Sequence, residues 1–187
     1  MQTSVSISCI KYTYITNVTN HYAYFLYFCI TEEKEVEKID DLILSWDEFA
    51  KDTSILADKL KSYNKIWKGL IAITRGGLVP ATILANKLGI RLVDTICISS
   101  YDNRNQRSMN ILKKPSVIDD GGDGEGWLII DDLVDSGNTI KYAGELYPKA
   151  HYAVVYAKPD GKSIIDTYVR DINQSTWIEF PWEEKDE

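Results

Sequence analysis

Leu128-Ile129-Ile130-Asp131-Asp132-Leu133-Val134-Asp135-Ser136-Gly137-Asn138-Thr139 is the stretch from which both the fold and the site are read. Trp127 to Ile130 is an apolar run with the length and branching of a buried strand. It runs into two carboxylates and a short polar loop, and a helical pattern follows over residues 139–146. In an open parallel sheet, ligands bind at the carboxyl ends of the strands, where the next helix offers unpaired N–H groups. Ser136-Gly137-Asn138-Thr139 supplies two hydroxyls, a glycine that permits close backbone approach, and an Asn tolerant of unusual dihedrals. A phosphate fits such a turn, and Asp131 and Asp132 can hold sugar hydroxyls or a hydrated Mg2+. Two alternatives stand at this point. Paired Asp at a strand end also suit metal-dependent phosphatases, and a solvated turn can carry acids incidentally.

The same grammar recurs on either side. Gly69–Thr74 is a second buried-strand pattern that runs into Arg75-Gly76-Gly77, and Leu78–Leu88 is helical, with Pro80 in its first turn and Gly89 as its stop. Free amides, a glycine and a guanidinium fork again favour a phosphate, although Arg-Gly-Gly is also common in ordinary turns. Upstream, Ser45-Trp46-Asp47-Glu48 reads as a capping box, and Phe49, Thr53, Leu56 and Leu60 mark one helical face to about Tyr63. Arg91–Ile98 is a third strand pattern. From Ser100 to Gly126 no periodic segment is convincing except around Met109–Leu112, so a long loop is expected. His151–Ala157 is a fourth buried strand ending in Lys158, and Asp166–Asp171 with Thr176–Trp182 reads as a strand and an aromatic hood. His21 and His151 have no nucleophile or metal partners at recognisable spacing.

Composition limits the partners. The 187 residues are 44% hydrophobic and carry a formal charge of −7, which describes a globular domain without the clustered Lys/Arg that nucleic acid or an anionic membrane requires. Cys9, Cys29 and Cys97 are too few and too scattered for a disulfide framework or zinc site, so a reducing cytoplasm is expected. Residues 1–36 differ from the rest: the apolar run Tyr22–Ile30 is too short to span a bilayer. They read as an added N-terminal segment, disordered or loosely packed, with a peripheral membrane or targeting role as the alternative. Residues 37–187 form the domain proper, with a hood at about 159–182.

The segments 67–90, 94–103, 122–139, 147–159 and 176–182 together resemble the xanthine–guanine phosphoribosyltransferases, of the type I phosphoribosyltransferase family. That resemblance implies an α/β fold with a mostly parallel central sheet flanked by helices and a small C-terminal hood. It implies transfer of the 5-phosphoribosyl group from phosphoribosyl diphosphate (PRPP) to xanthine or guanine, with hypoxanthine as a further acceptor, in purine salvage. By the same resemblance Arg75 and Gly76 hold pyrophosphate, behind a peptide Thr74–Arg75 that is often cis, and Arg107 contacts a substrate phosphate from a mobile loop. Asp131 and Asp132 lie near the ribose hydroxyls, with Asp132 assigned to Mg2+. Leu133, Val134, Asp135, Ser136, Gly137, Asn138 and Thr139 cradle the nucleotide, and Asp135 is the acid/base group. Lys158 meets the 6-oxo group, and Trp177 with Ile178 holds the ring, whereas Trp182 is core. Relatives are tetramers, which implies a homotetramer, and weak peripheral membrane association comes by the same route. Ser136 and Asn138 depart from the family's usual Thr and Gly, and the terminal Glu183-Glu184-Lys185-Asp186-Glu187 replaces a longer apolar tail. The alternative function is a PRPP-binding regulator of the same fold without catalysis.

Overall fold

The computed structural model describes residues 41–103, 106–118 and 121–183, with the backbone alone described at 100–103 and 106–108. The expectations for residues 1–36 and for the last four residues lie outside the described residues. In chain order the elements are β1 (Asp41–Ile43), α1 (Trp46–Ser62), β2 (Gly69–Thr74), α2 (Leu78–Leu88), β3 (Val93–Asn103) and β4 (Gln106–Lys113). They continue with β5 (Trp127–Val134), α3 (Asn138–Leu146), β6 (His151–Ala157), α4 (Pro159–Lys162), β7 (Arg170–Asp171) and β8 (Trp177–Glu179). The main sheet has the order β4-β3-β2-β5-β6-β7 and is parallel except at the β3–β4 pair. The expected α/β class and mostly parallel sheet are therefore what the chain adopts.

Both faces are buried at the centre of this sheet, which is why β2, the first half of β5 and β6 are apolar runs and not alternating ones. Successive side chains still part to opposite sides. Leu70, Ala72, Leu128 and Ile130 pack with Phe49, Leu56 and Leu60 of α1 and with Leu84 of α2. Ile71, Ile73 and Ile129 pack with Ile140 and Ala143 of α3. Helix α1 starts where the capping box placed it: Ser45 Oγ accepts the Glu48 N–H at 3.2 Å and the Glu48 carboxylate accepts the Ser45 N–H at 3.0 Å. Buried Asp52, on α1, accepts from Tyr156 Oη at 2.9 Å and from Arg170 at 3.1 Å, tying that helix to β6 and β7.

Three boundaries correct the sequence reading. β5 does not stop at Ile130 but continues through both acids to Val134, because β6 supplies ladder partners beyond them (Leu133 opposite Tyr156, Val134 opposite Ala157). The expected unstructured stretch from Ser100 to Gly126 is, up to Lys113, an antiparallel hairpin in which β3 and β4 pair from Cys97–Lys113 to Asn103–Gln106, while the described residues from there to Gly126 form no helix or strand. An edge strand needs only one neighbour, so its residues are under little pressure to be apolar; Met109 and Ile111 are half-buried, while Asn110 and Leu112 are exposed. The hood, finally, is not purely C-terminal: β8 pairs in parallel with β1, which precedes α1. Trp182, expected as core, is half-buried and packs against it, stacked on Phe180 with ring centroids 4.7 Å apart and edge-on to Phe49 at 4.7 Å.

Candidate active site

Strand register brings the site together. Ala72 lies opposite Ile130 across β2 and β5, so the turn after β2 arrives beside the acids of β5. The contact is close: a Cβ on Gly76 would lie 2.4 Å from Asp132 Oδ2. Only glycine permits this approach, since the Asp132 carboxylate fills the space a Cβ would take. The Thr74–Arg75 peptide is cis, at the bond the family resemblance singled out. Arg75 itself is exposed on the turn.

The acid pair is held by main-chain N–H groups. The Asp131 carboxylate accepts the Asp132 N–H at 3.0 Å, and that of Asp132 accepts the Leu133 N–H at 2.7 Å. Burial pushes Asp131 well above the usual carboxylate range, and the Asp132 charge adds to the rise. Burial likewise raises Asp132, to about 6; the Leu133 N–H and the Asp131 side chain oppose this, and the Glu183 charge adds to it.

Beyond Val134 the chain turns through Asp135 and Ser136, both exposed, into Gly137, which sits at φ 78° and opens α3. A side chain there would be strained, and its Cβ would approach Ile164 Cδ1 at 2.8 Å. No side chain caps α3, so the first-turn N–H groups at Asn138 and Thr139 face the loop in the arrangement that suits a phosphate. Val134 is itself core, 2% exposed, so this position offers the rim only its main chain; its carbonyl accepts the Lys158 N–H at 2.9 Å. Leu133 is half-buried against the core.

Since Val134 pairs with Ala157, the next residues on the two strands, Asp135 and Lys158, are brought side by side. Lys158 is only 6% exposed, and its Nζ lies 3.4 Å from Asp135 Oδ1. The hood contributes Trp177, 66% exposed, next to Ile178, whose side chain is buried. The β1–β8 ladder uses Trp177 and Glu179: the Glu179 carbonyl accepts the Leu44 N–H at 3.0 Å, in register with Leu42 opposite Ile178. In such a ladder alternate residues point their main-chain groups to opposite sides, so the N–H and C=O of Ile178 face away from β1. Ile178 thus offers main chain beside the Trp177 ring, and its side chain does not reach a ligand. Arg107 lies in β4 and its side chain is outside the described residues. His151 stands at the opposite end of β6 from Lys158, with Nε2 2.8 Å from Thr167 Oγ1 and its ring against Tyr63 and Trp67, a structural setting.

Two residues near this rim escaped the sequence reading. Gln174 donates from Nε2 to Asp135 Oδ1 at 2.8 Å and accepts the Asp160 N–H at 3.1 Å. Glu183 accepts the Phe180 N–H at 3.0 Å, which turns the chain so that its charge acts on Asp132. Gln174 lies in a polar turn and Glu183 follows the apolar Phe180-Pro181-Trp182, settings that carry no signal of a site; only the folding-back of the hood brings them here.

Comparison with known proteins agrees with this fold. Residues 33–187 match the model of the phosphoribosyl transferase domain. Among solved structures, the chain is similar to a purine phosphoribosyltransferase from Pyrococcus horikoshii Ot3, at 28% identity and a TM-score of 0.67 over 78% of this chain and 95% of that one. It is similar also to a xanthine-guanine-hypoxanthine phosphoribosyltransferase of Helicobacter pylori, at 26% identity and a TM-score of 0.64 over 76% and 94% of the two chains. With the match spanning most of its length, the chain belongs to the phosphoribosyl transferase domain family.

Proposed function

We propose that this protein transfers the 5-phosphoribosyl group of PRPP to a 6-oxopurine, xanthine or guanine with hypoxanthine as a further acceptor, releasing pyrophosphate in purine salvage. The observation that carries the reading is the convergence on one rim of the Gly76 turn, the Asp131–Asp132 pair, the amides at the start of α3, and Lys158 against Asp135. A diphosphate, a ribose and a 5′-phosphate each have a chemically matched surface along that line, and the purine side ends at Lys158 and Trp177.

In this reading Arg75 and the turn amides bind the departing pyrophosphate, and Asp131 and Asp132 face the ribose hydroxyls. Ser136, Gly137, Asn138 and Thr139 hold the 5′-phosphate. Lys158 donates to the 6-oxo oxygen, Trp177 stacks on the ring, and the main chain of Ile178 reads its edge. Asp135 takes the proton at N7 as the glycosidic bond forms. Catalysis is then mostly positioning and electrostatics, with positive charge developing on the ribose as pyrophosphate leaves.

Mg2+ fits the acid pair. The donors are hard carboxylate oxygens on adjacent residues of β5, and a bound cation would relieve the repulsion from Asp132 that helps to raise Asp131. Asp132 would hold the ion, with Asp131 beside it. When bound, Mg2+ neutralises charge on the diphosphate. The same reading includes a cytoplasmic homotetramer with weak peripheral membrane association; sedimentation of the purified protein tests the assembly.

Asp135→Asn tests the assignment of roles. Turnover should fall by orders of magnitude while PRPP affinity, measured by calorimetry, changes by less than about threefold. Wild-type turnover in this variant would remove Asp135 from the chemistry.

A further inference from the structure

Gln174 sits in the turn between β7 and β8, three residues before Trp177, and has no place in the roles above. Its amide is held at both ends. The Asp160 N–H can only donate, which fixes Oε1 toward α4 and leaves the NH2 group to donate to Asp135 Oδ1 at 2.8 Å. Lys158 Nζ approaches that same oxygen, at 3.4 Å. Among the described residues, both donors thus converge on Oδ1, and none donates to Oδ2. A carboxylate tethered through one oxygen presents the other in a fixed direction.

The tether through Lys158 alone would fail when it is needed. An ammonium that turns to the 6-oxo oxygen of an incoming base gives up some of its hold on Asp135. The Gln174 NH2 group has two donors, so it can keep its bond to Asp135 when the base arrives, while its oxygen stays on the main chain of α4. We propose that Gln174 is a positioning residue that aligns Asp135 for proton transfer at the purine. One turn then carries both the group that aligns the acid/base residue and, through Trp177, the group that stacks on the base. The inference rests on the reading of Asp135 given above.

The test compares Gln174→Glu and Gln174→Ala with wild type and with Asp135→Asn, all in the full-length protein with PRPP, Mg2+ and guanine. Gln174→Glu keeps the side-chain volume and the acceptor for the Asp160 N–H and removes only the donor, placing a second carboxylate against Asp135. We expect kcat to fall about tenfold or more in both variants, Glu at least as damaging as Ala, with the KM for PRPP within about twofold of wild type. Gln174 is exposed, so melting temperatures should stay close to wild type. Wild-type kcat in Gln174→Glu, with Asp135→Asn impaired, overturns the proposal and leaves the role of Asp135 intact. A fall in kcat for Ala that Glu restores also overturns it, since volume and not the donor would then matter. Wild-type kcat in Asp135→Asn overturns the underlying reading and this proposal with it.

Discussion

Replacing Asp132 by Asn should make the ligand-free protein more stable at neutral pH while disabling it. Burial, with the Glu183 charge added, lifts Asp132 from 3.8 to about 6 in the folded chain. A folded value above the unfolded one means that the folded state holds the proton more tightly. The stabilisation is then fully present below about pH 4 and is lost as pH rises through about 6. The rise corresponds to about 3 kcal/mol, and solvent screening of a partly buried group leaves about half of that as a working figure. Asn at this position keeps the oxygen that accepts the Leu133 N–H and never ionises. It also removes the charge that helps to raise Asp131. Scanning fluorimetry of both proteins without ligands should find Asp132→Asn ahead by about 5 °C at pH 7.5 and by less than about 1 °C at pH 4.5. An equal offset at the two pH values, or a less stable variant at pH 7.5, would refute the claim that Asp132 is a charge awaiting a cation.

Three further outcomes follow from the geometry. Gly76→Ala puts a methyl 2.4 Å from the position of Asp132 Oδ2, so the carboxylate must move; kcat/KM for PRPP should drop at least about tenfold in steady-state assays, with the fold retained. Trp177→Ala removes a ring that is 66% exposed, so stability should change by less than about 0.5 kcal/mol while the KM for the purine rises about tenfold. An unchanged KM would take stacking away from Trp177. Phe49→Ala empties a fully buried site against Tyr156, Phe180 and Trp182, and urea titration should show a loss of about 3–5 kcal/mol.

What could be read in advance divides along physical lines. The buried strands β2, β5 and β6 and the helices α1 and α2 announce themselves because hydrophobic runs, a capping box and stop residues are local signals. The Arg75 turn and the Asp131–Thr139 loop were visible for the same reason: each follows an apolar strand directly in the chain. The β3–β4 hairpin was not, since its stability comes from backbone pairing at a sheet edge, and Ser99 to Arg107 is uniformly polar. Three residues, Asp41–Ile43, carry too little pattern to be recognised as a strand, and only their pairing with Trp177–Glu179 makes them one. Gln174 and Glu183 reach the rim through tertiary turns, which no spacing in the sequence encodes. Ile178 is a subtler case. The resemblance implied a contact through its main chain; the buried side chain and the ladder register leave only the main chain turned outward, a detail that the residue itself does not encode.

The central claim is that one rim of the sheet binds a phosphorylated sugar and joins it to a purine. Initial rates of pyrophosphate release, measured with PRPP and Mg2+ and with xanthine, guanine or hypoxanthine added singly, test it most directly. Release that requires both PRPP and a 6-oxopurine, with equimolar nucleotide formed, is the result predicted. Tight PRPP binding without release for any of the three bases would contradict it and would mark the protein as a PRPP-binding regulator.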